Sequence, residues 1–314
     1  MSEKILITGV TGFIGANLAH TLCKRKGIKI YAVIRKNSNL WRLSEIKKRI
    51  HFINCDIRDY AKINLVIKKV KPDIIYHCAA YGAVYDENDF DKTISTNLIG
   101  TINLVNACKD KNIKAFINLG SSSEYGPKKK PMSENDKLSP NTVYGISKAV
   151  ATQYAVMAAR NYKIPLITLR PFSPFGYYES KNRLFPSLIL SIIKGEQPKL
   201  AHPRSARDFI FIDDLIELIL EVTGKTEKYS GEVFNAGTGK QYTVEEVANI
   251  AIKVSGTNLK PIFNALKGRD YDSEFWVADM SKTFSAFRWR PKYNIKEAIK
   301  ILIPWFSKNI KLYE

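Results

Sequence analysis

The chain has 314 residues and carries 49 Lys and Arg against 30 Asp and Glu, a formal charge of +19 at pH 7. With 45% hydrophobic and 25% charged residues it holds enough apolar material to offset chain entropy, which excludes disorder as the main state. No apolar run reaches the ~18 residues of a spanning helix, and the apolar start at Ile5-Leu6-Ile7 is too short and wrongly flanked for a signal peptide.

The expectation is a cytoplasmic protein of about two domains. Strands are predicted at 4–8, 29–34, 50–54, 74–77, 115–119 and 166–170, with helices at 14–26, 60–70, 92–111 and 143–162. The strands are nearly unbroken runs of Ile, Val, Leu and Phe, as expected where both faces of a parallel sheet are covered. Alternation with helices implies βαβ units and an α/β fold, a Rossmann-like doubly wound parallel sheet. Right-handed crossovers then collect the strand C-termini, and any ligand, on one edge. After Pro171 aromatics, Pro and Gly become frequent; a strand at 208–212, a helix at 213–222, a strand at 232–235 and helices near 244–254 and 295–309 suggest a smaller lobe. Cys23, Cys55, Cys78 and Cys108 lie far apart and read as reduced, mostly buried thiols. The run Lys128 to Lys130 reads as solvated surface.

Gly9-Val10-Thr11-Gly12-Phe13-Ile14-Gly15 follows the first strand and opens the first helix. Glycines there allow a sharp turn and a close approach to a pyrophosphate, with the helix N-terminus supplying amide donors. The context favours dinucleotide binding over a merely tight helix–sheet packing. At the end of the second strand, where an acid meets the ribose 2′-hydroxyl in NAD proteins, Arg35 and Lys36 stand instead. They place NADP(H) ahead of NAD(H), unless they are simply two of many surface bases. Asp56, followed by Ile57, closes the third strand, and suits either an adenine amino group or a turn cap.

Tyr144 and Lys148 are four residues apart in a predicted helix, on one face and one turn from each other. A tyrosine with its ordinary pKa near ~10 needs a neighbouring cation to exchange protons at neutral pH, and lowering it by about three units takes ~4 kcal/mol. The strand end Gly120-Ser121-Ser122-Ser123-Glu124-Tyr125-Gly126 offers hydroxyls to hold a substrate oxygen, or a polar turn cap.

As a set these residues resemble the extended short-chain dehydrogenase/reductase family of nucleotide-sugar epimerases, dehydratases and reductases. His77-Cys78-Ala79-Ala80, Asn97 in Thr96-Asn97-Leu98, Leu169-Arg170-Pro171, Arg207-Asp208-Phe209 and Asn235-Ala236-Gly237 extend the likeness over essentially the whole chain. The resemblance implies a Rossmann domain at 1–172 and 204–236 and a nucleotide-sugar-binding lobe at 173–203 and 237–314. It implies a nicotinamide cofactor held by Gly9, Thr11, Gly12, Phe13, Ile14, Gly15, Arg35, Asp56, Ile57, Ala79, Ala80, Asn97, Tyr144, Lys148 and Pro171. A nucleoside diphosphate sugar would meet Tyr81, Ser122, Ser173, Arg183, Arg207 and Arg269, and two copies would pair through helices 92–111 and 143–162. The catalytic group would be Ser122, Tyr144 and Lys148. Aligning on Glu124 selects Ser122, with Ser123 next, whereas counting four back from Tyr-Gly selects Ser121. Glu124 keeps a dehydratase open. The strand end and Arg35 look most like 4-keto-6-deoxysugar reductases, with segments 79–84 and 276–279 similar to the CDP-paratose synthase group. Ser173 stands where epimerases and dehydratases carry a diphosphate-binding Asn. The alternatives are a 4-epimerase or 4,6-dehydratase and, more remotely, a non-catalytic cofactor sensor or nucleic-acid binder; neither a membrane nor a metal is expected.

Overall fold

The computed structural model describes residues 2–83, 87–266 and 273–314. The first half runs β1 (Glu3–Thr8), α1 (Phe13–Cys23), β2 (Ile28–Ile34), β3 (Ile50–Asn54), α2 (Tyr60–Val70), β4 (Ile74–His77), α3 (Phe90–Ile94), α4 (Gly100–Ala107) and β5 (Ala115–Leu119). It continues as α5 (Val143–Tyr162), β6 (Leu166–Pro171), α6 (Leu184–Lys194), β7 (Ala206–Asp208), α7 (Ile212–Thr223), β8 (Val233–Ala236), β9 (Gln241–Thr243), α8 (Val244–Ser255), α9 (Ser281–Ala286) and α10 (Ile295–Lys308). Seven strands form one sheet in the order β3-β2-β1-β4-β5-β6-β8. Parallel register sets Thr8 beside Val33 and His77, and His77 beside Asn118, so the strand C-termini end in line. The strand order reverses between β1 and β4, the place where open α/β sheets leave a crevice for ligands.

Local signals explain the helices that bound this edge. Asp59 caps α2 by accepting from the Lys62 amide, and Lys71 ends that helix in the left-handed region at φ 50°. Thr142 caps α5 through the Gly145 amide, and Lys163 at φ 53° stops it. The expected helix 92–111 is instead two α segments joined by a π turn, Ser95–Ile99, and it ends at Ala107. The wide turn carries Asn97, whose side chain is buried and bonded on both sides.

Two compact units divide the chain. The first comprises residues through Gly126, Asp136–Arg170 and Ile216–Phe234; the second comprises Pro127–Asn135, Pro171–Leu215 and Asn235–Glu314. Segments 127–135 and 204–215, expected with the Rossmann part, group with the second unit. Met132 exchanges backbone hydrogen bonds with Val277 and Asp279 there, and the Asp208 carboxylate accepts from the amides of Thr238, Gly239 and Ala278. The strand expected at 208–212 is corrected as well. Only Ala206–Asp208 is strand, paired antiparallel with β9, and Ile212 already opens α7. Phe209 and Phe211 leave the strand for an aromatic core with Phe175 and Phe185, whose rings stack at 3.8 Å. Among the described residues no helix is long and apolar enough to cross a membrane.

A buried hydrogen-bond chain ties the first unit together. Thr101 Oγ1 spends its one proton on the Asn97 carbonyl at 2.6 Å, so it must accept from His77 Nε2 at 2.9 Å. His77 therefore carries its proton on Nε2, and its Nδ1 accepts from Thr8 Oγ1 at 2.6 Å. Burial, with the nearby Lys148 charge, pushes His77 from 6.5 down to about 3. Above the unfolded value both states are neutral at this ring and its contribution is complete. Below it the unfolded chain takes up a proton that the folded chain refuses, so stability falls with pH until the folded value is passed. From this residue the protein is expected to lose about 2 kcal/mol between roughly pH 7 and pH 5. His77→Gln is expected to flatten that part of the pH dependence in urea unfolding; an unchanged slope would mean that the ring takes up its proton in the folded state.

Candidate active site

The glycine turn meets β4 and α1 in different ways. Gly9 has φ +69°, and a Cβ there would lie 2.4 Å from the Ala79 amide nitrogen. A Cβ on Gly15 would lie 2.3 Å from the Gly9 carbonyl oxygen. These two glycines are demanded by the chain itself. A Cβ on Gly12 would meet only the Gly9 carbonyl, at 3.2 Å, so the space beside it is a cradle that a side chain would fill. The first amide bonded within α1 is that of Ala16, on the Gly12 carbonyl, which leaves the amides of Phe13, Ile14 and Gly15 at the helix end, with no acid in the first turn. Thr11 presents its carbonyl to Arg42 Nη1 at 3.1 Å. That cradle fits a dinucleotide pyrophosphate. Arg42, whose guanidinium lies 4.3 Å over Trp41, was not expected from the sequence, because the irregular segment before β3 has no periodicity to place it.

Around the cradle the expected residues divide. Arg35 is exposed, with its amide on Ser38 Oγ. Of the two roles open to Asp56, its contacts display the turn. Oδ1 accepts from the Arg58 amide at 3.0 Å, both oxygens take the Arg58 guanidinium, and this hydrogen bonding holds the carboxyl below its usual range. Ile57 packs against Gly100, where a Cβ would lie 2.6 Å from its Cδ1, so only its backbone remains for a ligand. Ala79 and Ala80 follow β4 directly. Asn97, expected at the cofactor, is buried and bonded to protein on both of its amide atoms. Its oxygen accepts from the Tyr81 amide, and its amide donates to the Tyr81 carbonyl and to Ser147 Oγ at 3.0 Å. Ser147 in turn donates to the Tyr144 carbonyl at 2.8 Å, so the buried chain from Thr8 ends on the backbone of Tyr144.

The serine turn is fixed by a capping box. Ser121 accepts from the Ser123 amide through its side chain, and Glu124 Oε1 accepts from the Ser121 amide at 2.8 Å. Ser121 is thereby a cap, while Ser122 is buried and Ser123 half-buried beside it. Glu124, expected among the catalytic residues, is an interior carboxylate. It is 0% exposed, Oε1 also takes Thr152 Oγ1 at 2.9 Å, and Oε2 takes Arg170 Nε at 2.7 Å. Complete burial behind these three donors closes the carboxylate to a substrate. Arg170 lies 4.6 Å over the Tyr125 ring.

On α5, Tyr144 stands in the first turn, half-buried, next to Gly145. A Cβ on Gly145 would lie 2.5 Å from the Ser123 carbonyl, so this glycine lets the helix touch the serine turn. Lys148 is buried and its Nζ donates to the Leu119 carbonyl at the end of β5. Burial lowers its pKa, with the Glu124 charge opposing that shift. Serine hydroxyls, a tyrosine and an amine thus stand on adjoining elements at the C-terminal edge of the sheet, residue types suited to exchanging a proton with a substrate hydroxyl.

Tyr81 carries the Lys92 ammonium 4.2 Å over its ring. In the second unit Pro171 ends β6 and the half-buried Ser173 adopts φ 21°. Arg183 precedes α6 and meets Glu179 at 3.4 Å. Arg207 lies 5.2 Å over Trp276 and donates to the carbonyls of Ala206 and Ser273. Arg269 lies outside the described residues.

The sequence model of the NAD dependent epimerase/dehydratase family matches residues 5–237. The chain is 28% identical to a UDP-glucose 4-epimerase of Lactobacillus helveticus, over 99% of both chains. Among solved structures it is similar to a dTDP-glucose 4,6-dehydratase of Bacillus anthracis in complex with NAD, at 26% identity and a TM-score of 0.87, covering 99% of each chain. It is also similar to a UDP-glucuronic acid 4-epimerase of Bacillus cereus in complex with UDP-glucuronic acid and NAD, at 25% identity and a TM-score of 0.86, covering 98% of this chain and 99% of the other.

The closed carboxylate makes a measurable claim. Arg170→Met removes the cation beside the buried Glu124 carboxylate and is expected to cost about 3–5 kcal/mol in urea unfolding. Replacing both partners, Glu124→Leu with Arg170→Met, is expected to recover most of that loss. A neutral Arg170→Met would mean that the pair is not closed.

Proposed function

The chain belongs to the NAD dependent epimerase/dehydratase family, and we propose that it is a nucleotide-sugar 4-epimerase working with retained NAD(H). The observation that carries this reading is the closed carboxylate of Glu124. A 4,6-dehydratase needs, beyond oxidation at C4, a base for the C5 proton and an acid for the C6 hydroxyl. Glu124 is the one carboxylate of the serine turn, and it is fully buried with Ser121 and Thr152 on one oxygen and Arg170 on the other. A 4-epimerase needs neither group, only room for the 4-keto sugar to turn. The reductase expectation, and with it the likeness to the CDP-paratose synthase group, gives way because the relatives above are 4-epimerases and a 4,6-dehydratase.

NAD(H) is preferred to NADP(H) because both of these solved structures are complexes with NAD. The opposite expectation rested on Arg35 and Lys36, two exposed bases. When bound, the nicotinamide supplies the acceptor for the hydrogen on sugar C4 and then its donor to the other face. The chain's own part is to hold and to move a proton. The amides of Phe13, Ile14 and Gly15 receive the pyrophosphate. Ser122, with Ser123 beside it, holds the 4-oxygen while Tyr144 takes the hydroxyl proton and later returns it. Lys148, one helical turn away, supplies the cation that favours this exchange. Arg207, a planar fork on an aromatic ring, suits the substrate diphosphate.

A homodimer through α3–α4 and α5 belongs to the same reading. Phe90 and Ile99 on one side, and Ile146, Val150 and Met157 on the other, leave large apolar side chains exposed. Positions 146, 150 and 157 follow one helical face.

Given UDP-hexoses, the protein is expected to yield an isomer of unchanged mass without net consumption of nicotinamide. Tyr144→Phe is expected to slow this about 10²–10⁴-fold while cofactor binding persists; full activity in that variant would remove Tyr144 from the mechanism. Val150→Arg is expected to shift the protein to the monomer in size-exclusion chromatography, and an unchanged elution would place the interface elsewhere.

A further inference from the structure

The N-terminal edge of the parallel sheet, opposite the glycine turn and the serine turn, is built from the loops that return from each helix to the next strand. Hydrogen bonds stitch these loops into one row within the first unit. Arg49 Nη1 donates to the Cys23 carbonyl, the Glu3 amide to the Gly27 carbonyl, and Lys4 Nζ to the Val70 carbonyl. The Lys114 amide donates to the Asp73 carbonyl, and Thr226 Oγ1 to the Lys114 carbonyl. With seven strands spaced ~4.8 Å apart, the row spans roughly 30 Å.

This row concentrates the charge of the chain. Segments 3–4, 24–29, 45–49, 68–73, 109–114, 160–163 and 221–232 hold 18 Lys and Arg against 7 Asp and Glu, which leaves +11 of the total +19. Seventeen of the bases are exposed, but only three of the acids, Glu45, Asp110 and Glu227. Helix macrodipoles favour bases in a last turn and account for Lys68, Lys69 and Arg160. They do not account for Lys26, beyond a helix end, for Lys29, inside a strand, or for Lys47 to Arg49, a single 3-10 turn too short to carry a macrodipole.

We propose that this edge is a docking surface for the anionic headgroups of a lipid bilayer. The bases form a broad row along the loops of one sheet edge, and a plane of headgroups can meet those loops together. Single-stranded nucleic acid fits less well, because it binds by stacking on aromatic faces. The two tyrosines of the row, Tyr162 and Tyr229, carry the ammonium groups of Lys109 and Lys228 over their rings. With no spanning helix among the described residues, the attachment is peripheral and electrostatic. It leaves the edge that bears Tyr144 and the glycine turn turned away from the lipid.

The test is flotation with vesicles of phosphatidylcholine containing one-third phosphatidylglycerol, at roughly 0.1 M salt. The wild-type chain is expected to float with these vesicles, to stay behind with pure phosphatidylcholine, and to be released at about 0.5 M salt. The variant Lys26→Glu, Lys48→Glu, Lys68→Glu and Lys111→Glu is expected to lose at least tenfold in partitioning while keeping the wild-type thermal midpoint. Absence of flotation by the wild-type chain would overturn the proposal. So would equal flotation by the variant, or displacement from the vesicles by single-stranded RNA at equal phosphate concentration. Should the fourfold variant unfold, Lys26→Gln with Lys48→Gln supplies the same comparison, and undiminished flotation by that folded variant overturns the proposal equally.

Discussion

A carboxylate with no access to water must be paired on every side, and Glu124 meets that demand with partners from three places. The Ser121 amide comes from its own turn, Thr152 from the middle of α5, and Arg170 from the end of β6. The serine turn is therefore locked to the helix that carries Tyr144 and Lys148 and to the neighbouring strand. The same bonds withdraw Glu124 from chemistry. Gly120 belongs to this constraint, since a Cβ there would lie 2.4 Å from Glu124 Oε1.

A second buried chain joins the cofactor side to the catalytic side. It runs from Thr8 at the end of β1 through neutral His77, Thr101 and Asn97 to Ser147 and the Tyr144 carbonyl. Each member has its donor and acceptor roles fixed by the next, so the π turn and the first turn of α5 hold one arrangement. Charging His77 would reverse its bond to Thr8, because an imidazolium Nδ1 donates and the Thr8 hydroxyl would then have to accept. The strand that leads into the glycine turn and the helix turn that carries Tyr144 are thus joined by one hydrogen-bonded chain.

Much of this was readable in the sequence wherever the cause is local. Nearly unbroken apolar runs marked β3, β4 and β5 at their observed bounds, and the helix expected at 143–162 is α5. The glycine turn was readable because its spacing directly follows the first strand, and Gly15 answers a demand from Gly9 itself, although the demand on Gly9 comes from Ala79, far along the chain. The role of Glu124 was not, because its deciding partner lies 46 residues away. Nor was the loss of strand after Asp208, since Phe209 to Phe211 look like a buried strand until Phe175 and Phe185 are packed against them. The charge behaved in the same way. As a sum of +19 it pointed nowhere, and the crowding of bases on one edge emerges only when the topology aligns loops distant in sequence.

The central claim is that a closed Glu124 leaves this site with proton and hydride exchange at C4 alone. Turnover of UDP-glucose in deuterium oxide, followed by mass spectrometry of the recovered sugar nucleotide, tests it most directly. An isomer at C4 with no carbon-bound deuterium and no loss of water is the result this account predicts. Deuterium at C5 together with loss of water would contradict it.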